Sequence, residues 1–187
     1  MQKKKRNIGK FLLGALICIT VIIIGMTVLI DRFYPLRYLD IIQECAIEYG
    51  LQPELICAVI HAESKFNKDA ISNKGAGGLM QITESTAYWL APKMGASDFE
   101  YGQIFDPKTN INFGCYYLST LEQQYGDMNV ALCAYNAGSG NIDQWLQNPE
   151  FSNDGKSLKE IPFRETQEYI KRVTSNRKIY NIILKFR

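Results

Sequence analysis

Apolar residues recur at intervals of three and four positions along most of the chain, which is the spacing of one face of an α-helix. Gly50 and Gly126 stand where helix C-caps would lie, and Pro53 and Pro107 fit first helical positions. No stretch alternates with a period of two between turn residues, so the pattern predicts a mainly α domain. The predicted helices cover residues 36–49, 53–64, 83–91, 107–125, 129–137, 141–147 and 163–185.

Residues 11–30 show a different pattern, because they carry no charge at all. As a helix they would extend roughly 30 Å, the thickness of a bilayer's hydrocarbon core. Basic residues precede them and Asp31 follows, which predicts a cytoplasmic N-terminus and an extracytoplasmic remainder. A cleaved signal peptide is the alternative, although residues 28–33 offer no small-residue cleavage site. The predicted organisation is a basic tail 1–10, a transmembrane anchor 11–30, a tether 31–35 and a folded domain 36–187.

The distribution of charge argues against a nucleic-acid partner. The whole chain has a net charge of +2, but all the basic residues before the apolar segment, five in number, lie in the first ten positions. Residues 31–187 therefore carry a net charge of −3, which is not the basic surface that binds nucleic acid.

Four cysteines of the predicted domain would face an oxidising compartment. Cys45, Cys57, Cys115 and Cys133 each lie within a helical apolar pattern, where a thiol behaves as a small hydrophobic group. We therefore predict four buried thiols, with a Cys115–Cys133 disulfide as the alternative. No spacing of cysteine and histidine typical of a metal site occurs in the sequence.

Glu63 is the strongest candidate for chemistry. It lies at the end of the apolar helix predicted over residues 53–64, and the glycine-rich turn 75–78 follows shortly after it. Burial and the partial negative charge of a helix C-terminus both disfavour the ionised carboxylate. Such a group is suited to donate a proton near neutral pH.

Four motifs together resemble those of the lytic transglycosylases, in the order in which that family shows them. They are Glu-Ser-Lys-Phe at 63–66 with Ser72, Gly-Leu-Met-Gln-Ile at 78–82, Ala-Tyr-Asn-Ala-Gly at 134–138 and Ile-Pro-Phe-Arg-Glu-Thr-Gln-Glu-Tyr at 161–169. The stretch 105–118 is similar to the helix between the family's motifs. The resemblance covers residues 36–187 and implies a lysozyme-like helical domain that binds glycan strands of peptidoglycan.

The resemblance also implies a reaction. The family cleaves the β-1,4 bond between N-acetylmuramic acid and N-acetylglucosamine and leaves a 1,6-anhydromuramic end, without metal or organic cofactor. Ordinary glycosidases hold two carboxyl groups across the bond. Here Asp69 is the nearest later candidate and lies in a polar turn, so Glu63 is expected to act alone, first as acid and then as base on the sugar's 6-hydroxyl.

By the same match, other residues are expected to support Glu63. Ser72 and Tyr135 would hydrogen-bond near the acid and orient it. Ser64 and Gln81 would line the cleft, and Asn136 would fix the loop that follows Tyr135. The last pair, Glu165 and Tyr169, would bind the sugar side of the cleft or brace it from one helix.

Two alternatives to a membrane-anchored lytic transglycosylase stay open at this point. A peptidoglycan hydrolase of the muramidase type would need a water-activating group that the sequence does not identify. A non-catalytic glycan-binding component of an envelope or secretion complex would also suit an anchored domain.

Overall fold

The chain forms two compact units, Met1–Leu36 and Arg37–Arg187. The computed structural model describes residues 2–186, with the side chains of the first helix described from Leu16 onward. The first unit is helix α1 (Gln2–Phe33). Its segment Leu16–Phe33 has a mean hydropathy of 2.2 and is the one helix among the described residues long and apolar enough to cross a membrane. The side chains of the predicted basic tail, 1–10, lie outside the described residues.

The second unit is mainly helical, as the sequence predicts. It also contains short 3₁₀ helices at Ala91–Met94 and Tyr101–Phe105, and isolated bridges join Ile71 to Gly77 and Gly77 to Ile82. The described residues contain no strand. The α-helices are α2 (Leu39–Tyr49), α3 (Pro53–Ser64), α4 (Glu84–Leu90), α5 (Pro107–Tyr125), α6 (Met128–Ala137), α7 (Ser139–Gln147) and α8 (Arg164–Lys185).

Helix α3 lies at the centre of this unit. All residues from Leu55 to Ile60 are buried, which is typical of a helix enclosed on every side rather than on one face. Its main partner is α8, while α5 packs against α2 and α6. A helix enclosed in this way brings the side chains at its C-terminal end into a partly desolvated environment.

The ends of the helices follow from the residues that the sequence places there. The Asp106 side chain accepts a hydrogen bond from the Thr109 N–H at 2.9 Å and so caps α5. Helix α3 ends differently, because Lys65 and Phe66 both adopt left-handed backbone conformations with φ of 52° and 63°. These two residues reverse the chain and bury the Phe66 ring, which is 1% exposed. The end of α3 is therefore held by core packing.

The structure differs from the sequence prediction at a few boundaries. Helix α2 begins at Leu39 rather than at Leu36, because Tyr38 has a φ of 60° and interrupts the helix. Neither 3₁₀ helix was predicted, since four or five residues are too few to show a helical period. Helix α1 continues to Phe33, so the first residues of the predicted tether 31–35 are helical.

The four cysteines of the second unit are free thiols. Cys45, Cys57, Cys115 and Cys133 are all buried, as their positions in the helical pattern predict. The alternative Cys115–Cys133 disulfide is not formed. These side chains serve as small apolar groups of the core.

Candidate active site

Glu63 is the next-to-last residue of α3 and is partly exposed at the end of the buried helix. Burial raises the pKa of its carboxyl from 4.5 to about 7. The Tyr169 hydroxyl and the positive charge of Arg172 act in the opposite direction, and the negative charge of Glu165 adds to the increase. The carboxyl group therefore changes its protonation state near neutral pH.

Two tyrosines from different helices lie next to Glu63. Tyr169 of α8 is 1% exposed, and Tyr135 of α6 donates a hydrogen bond from its hydroxyl to the Met80 carbonyl oxygen at 2.8 Å. Burial raises the pKa of both phenols and the charge of Glu63 raises it further, which places both rings close to the carboxyl. They thus remain protonated donors throughout the pH range in which Glu63 titrates.

The hydroxyl of Tyr169 interacts with the carboxyl of Glu63. It favours the ionised carboxylate, although the two groups fall short of an ideally aligned hydrogen bond. No other hydrogen-bond partner for this buried hydroxyl occurs among residues 2–186. A buried hydroxyl without a hydrogen-bond partner is costly in a folded protein, so its place near the acid makes it a candidate functional group.

A tight turn over residues 70–82 is joined to the site by the hydrogen bond from Tyr135 to Met80. The N–H groups of Gly77 and Ile82 bond each other's carbonyl oxygens at 3.0 and 3.1 Å, and the Gly78 N–H bonds the Ala70 carbonyl at 2.9 Å. Gly78 has a φ of 79°, a conformation that favours glycine. The side-chain amide of Gln81 donates to the carbonyl oxygens of Ala70 and Gly78 at 3.1 and 2.9 Å and holds the turn closed.

Asn110, a buried residue of α5, holds this turn in place through three hydrogen bonds to backbone groups. Its side-chain oxygen accepts from the Met80 N–H at 2.7 Å, and its amide nitrogen donates to the Gly77 and Ile104 carbonyl oxygens at 3.0 and 2.8 Å. A Cβ atom at Gly78 would overlap the Asn110 amide. The turn can therefore pack on Asn110 only with glycine at position 78.

Comparison with known proteins places this arrangement in a family. The profile of the family described as "Transglycosylase SLT domain" matches residues 40–158. The chain belongs to the SLT transglycosylase family. Its second unit accordingly has the lysozyme-like helical fold of the SLT domain, as the sequence motifs imply.

Individual relatives agree with this assignment. The soluble lytic murein transglycosylase of Salmonella typhimurium is 35% identical over 147 residues, which cover 77% of this chain and 23% of that protein. The membrane-bound lytic murein transglycosylase C of Photorhabdus laumondii is 30% identical over 174 residues, covering 78% of this chain and 47% of the relative. The chain thus spans less than half the length of these relatives.

A solved structure shows the same fold. An inactive Glu-to-Gln variant of the lytic transglycosylase Slt from Pseudomonas aeruginosa superimposes with a TM-score of 0.73 and 33% sequence identity. The superposition covers 83% of this chain and 26% of that protein.

The SLT domain brings some of the predicted site residues near the acid and places others in supporting positions. Tyr135, Tyr169 and Glu165 all lie close enough to Glu63 to interact electrostatically with it. Gln81 stabilises the turn through its amide nitrogen.

The remaining predicted residues make local or bridging bonds. Ser64 donates within its own helix to the Ile60 carbonyl oxygen at 3.2 Å. Ser72, expected near the acid, instead accepts from the Ala76 N–H at 3.0 Å, and no bond to Glu63 occurs among the described residues. Asn136 accepts from the buried Thr166 hydroxyl at 2.9 Å and so joins α6 to α8 behind the site.

Sequence reasoning missed three residues that shape the SLT site. Asn110 and Tyr101 hold the turn, since the Tyr101 hydroxyl lies 2.8 and 2.9 Å from the carbonyl oxygens of Gly75 and Ile82. Arg172 lies near the acid from α8. A polar asparagine on the apolar stripe of α5 was the one signal that could have identified Asn110.

Neither of the two carboxyls that could partner Glu63, those of Asp69 and Glu165, is buried. Asp69 is 67% exposed and pairs with Lys68 at 2.7 Å, and Glu165 is 68% exposed and pairs with Lys74 at 3.4 Å. In the part of the chain with described side chains, no group of three or more His, Cys, Asp or Glu residues could hold a metal ion. The site can offer one proton donor of near-neutral pKa, two neutral phenols and a rigid backbone turn.

Proposed function

We propose that the chain is a lytic transglycosylase that cleaves the β-1,4 bond between N-acetylmuramic acid and N-acetylglucosamine in peptidoglycan. The observation that carries the proposal is the partly buried carboxyl of Glu63, whose pKa of about 7 lets it hold a proton at neutral pH and also give it up. The names of the relatives, which are murein transglycosylases, support this substrate class.

In the first step Glu63 donates its proton to the glycosidic oxygen as the bond to the anomeric carbon breaks. The N-acetylglucosamine side leaves with a new hydroxyl group, and positive charge develops on the muramic ring. The carboxylate left behind is stabilised by the Tyr169 hydroxyl and by the charge of Arg172, both of which favour its ionised form. These two groups therefore stabilise the product of proton transfer rather than the resting acid.

In the second step Glu63 takes a proton from the 6-hydroxyl of the same muramic residue. The freed oxygen attacks the anomeric carbon and closes the 1,6-anhydro ring, which returns Glu63 to its protonated form. No water enters and no second carboxyl is needed, which agrees with the exposed, ion-paired states of Asp69 and Glu165. A retaining or inverting hydrolase would require such a group across the bond.

We also propose that α1 anchors the enzyme in a membrane, with the N-terminus in the cytoplasm and the SLT domain outside. The apolar segment Leu16–Phe33 and the basic residues at the start of the chain support this topology. Sequencing of the mature N-terminus tests it, together with protease treatment of intact cells. A mature chain that starts beyond residue 30, or a domain protected from external protease, would contradict the proposal.

The decisive experiment for the reaction is digestion of purified peptidoglycan with analysis of the released muropeptides by mass spectrometry. We expect anhydromuramic ends from the native protein and none from Glu63→Gln. Glu150→Gln is the control, because Glu150 is an exposed carboxylate outside the candidate site. Glu165→Gln tests for a second catalytic carboxyl, because Glu165 is close to the acid. Reducing ends that disappear in Glu165→Gln would instead indicate hydrolysis, and binding without release would indicate a non-catalytic glycan-binding protein.

A further inference from the structure

Helix α4 exposes two aromatic side chains next to each other. Tyr88 and Trp89 are both 48% exposed, although large aromatic residues normally bury most of their surface. Their ring contacts differ: Tyr88 packs edge-on against Phe99, while Trp89 packs edge-on against Tyr117 of α5 at 6.1 Å between ring centroids. Two equally exposed neighbours thus connect to different parts of the domain.

The contact of Trp89 leads back to the candidate acid. The Tyr117 ring lies 5.2 Å from the ring of Tyr135, between centroids, and Tyr135 borders Glu63. The centroid of Trp89 is therefore no more than about 11 Å from that of Tyr135. This is comparable with the length of a disaccharide, so a glycan strand held at Glu63 could reach Trp89.

The polar atoms along this row are available to a ligand. Within residues 2–186, neither the Tyr117 hydroxyl nor the Trp89 ring N–H has a hydrogen-bond partner, and the Tyr117 hydroxyl is not sealed from solvent. The ammonium group of Lys93 lies 4.8 Å from the centre of the Trp89 ring and forms no ion pair with any described residue. An aromatic ring that combines an apolar face with polar atoms at its edge suits a sugar, which offers both C–H groups and hydroxyls.

We propose that Trp89, Tyr117 and Lys93 form a second saccharide-binding surface, which takes a sugar unit of the same glycan strand away from the bond that is cleaved. Trp89 packs against the C–H face of that sugar, and the Tyr117 hydroxyl bonds one of its polar substituents. Lys93 pairs with a carboxylate of the peptide stem that the muramic units carry. The identity of the ligand rests on the proposed function, whereas the binding surface itself can be tested without cleavage.

The test measures binding by the full chain in detergent, with Glu63→Gln added so that no strand is cut. The neutral probes are chitohexaose and chitobiose, and Trp89→Ala is compared with Tyr88→Ala, an equally exposed aromatic on the same helix. We expect Trp89→Ala to weaken chitohexaose binding about tenfold and to leave chitobiose binding unchanged. Tyr88→Ala should change neither, and Trp89→Phe should retain most of the affinity because it keeps a ring.

The role of Lys93 is tested with glycan strands that carry peptide stems and with strands freed of them by an amidase. Lys93→Gln should weaken binding severalfold for the stem-bearing strands only, and this loss should shrink at high salt. Equal affinity of the parent and Lys93→Gln for stem-bearing strands would overturn the role of the charge. Equal affinity of the parent and Trp89→Ala for chitohexaose, or an equal loss in Tyr88→Ala, would overturn the saccharide surface.

Failure of this proposal can be separated from failure of the proposed function. With Glu63 intact, Trp89→Ala should raise KM for long strands and leave kcat near the native value, because Trp89 lies away from the reacting bond. Anhydromuramic products together with unchanged binding in Trp89→Ala would refute the second surface alone. If Trp89→Ala loses chitohexaose binding but the native protein yields no anhydromuramic product, the proposed reaction alone would be refuted. Thermal unfolding of each variant shows whether the domain stays folded.

Discussion

The raised pKa of Glu63 predicts that this residue lowers the stability of the protein above neutral pH. Its carboxyl has a pKa of about 7 in the folded state against 4.5 when solvated, and each unit of difference corresponds to about 1.4 kcal/mol. The favourable contribution of the protonated form is complete below pH 4.5 and is lost as the pH rises through 7. Relative to pH 4, ionisation of Glu63 should therefore cost about 3 kcal/mol of unfolding free energy at pH 8.5.

Substitution by glutamine isolates this cost, because glutamine has nearly the same shape and never ionises. We expect the unfolding free energy of Glu63→Gln, minus that of the native protein, to be about 3 kcal/mol larger at pH 8.5 than at pH 4. Comparison between the two pH values cancels any contact that the substitution alters equally at both. It also cancels the titration of groups that both proteins share.

Urea unfolding of the full chain in detergent measures this difference. Both tryptophans of the chain, Trp89 and Trp145, lie in the second unit, so their fluorescence reports on the unfolding of the SLT domain. Glu150→Gln serves as the control, since Glu150 is an exposed carboxylate that loses little hydration on folding and is not among the groups that shift the pKa of Glu63. A stability gain in Glu63→Gln that is the same at pH 4 and pH 8.5 would refute the argument that Glu63 is desolvated.

Three further predictions concern the site and the turn beside it. The rate of peptidoglycan cleavage should fall as the pH rises through about 7, because Glu63 must carry its proton in the proposed mechanism. Tyr169→Phe should move this fall in rate to higher pH, since the Tyr169 hydroxyl favours the carboxylate. An unchanged pH–rate profile would show that the hydroxyl does not act on the acid. Asn110→Ala should lower the free energy of unfolding by about 3 kcal/mol or more in urea titrations, because three backbone groups lose a buried partner; a loss below about 1 kcal/mol would mean that water replaces the amide. Gly78→Ala should abolish cleavage, because the added methyl group displaces Asn110 and the backbone has a φ of 79°. Circular dichroism should still show a helical fold. Full activity of this variant would contradict the account of the turn.

The helices of the SLT domain could be predicted because their signals are local. Pro53 and Pro107 mark the starts of α3 and α5, and Gly126 marks the end of α5 with a left-handed φ of 67°. Such signals depend only on backbone geometry within one or two turns. The burial of the helix that carries Glu63 could be predicted for the same reason, since the six positions from Leu55 to Ile60 form an unbroken apolar run.

The residues that support the acid could be predicted only in part, because their partners are distant in sequence. Asn110 bonds Met80, which is 30 positions away, and Tyr101 bonds Gly75 across 26 positions. Nothing in the local sequence distinguishes these side chains from other polar residues on helices. Ser72 was predicted from its place in a motif to form a hydrogen bond near Glu63. Its hydroxyl instead accepts a hydrogen bond from the Ala76 N–H within its own turn.

The position of Glu63 is set by packing, while its pKa is set by a balance of opposing effects. Phe66 enters the core immediately after the left-handed turn at Lys65 and Phe66, which holds the end of α3 in its partly desolvated place. Desolvation alone would keep the carboxyl protonated and make it a poor base. The Tyr169 hydroxyl and the charge of Arg172 favour the carboxylate and bring the pKa back towards neutrality, to about 7. The proposed mechanism, in which Glu63 first donates a proton and then accepts one in the same turnover, needs this intermediate value, because a strong acid would fail in the second step and a weak one in the first.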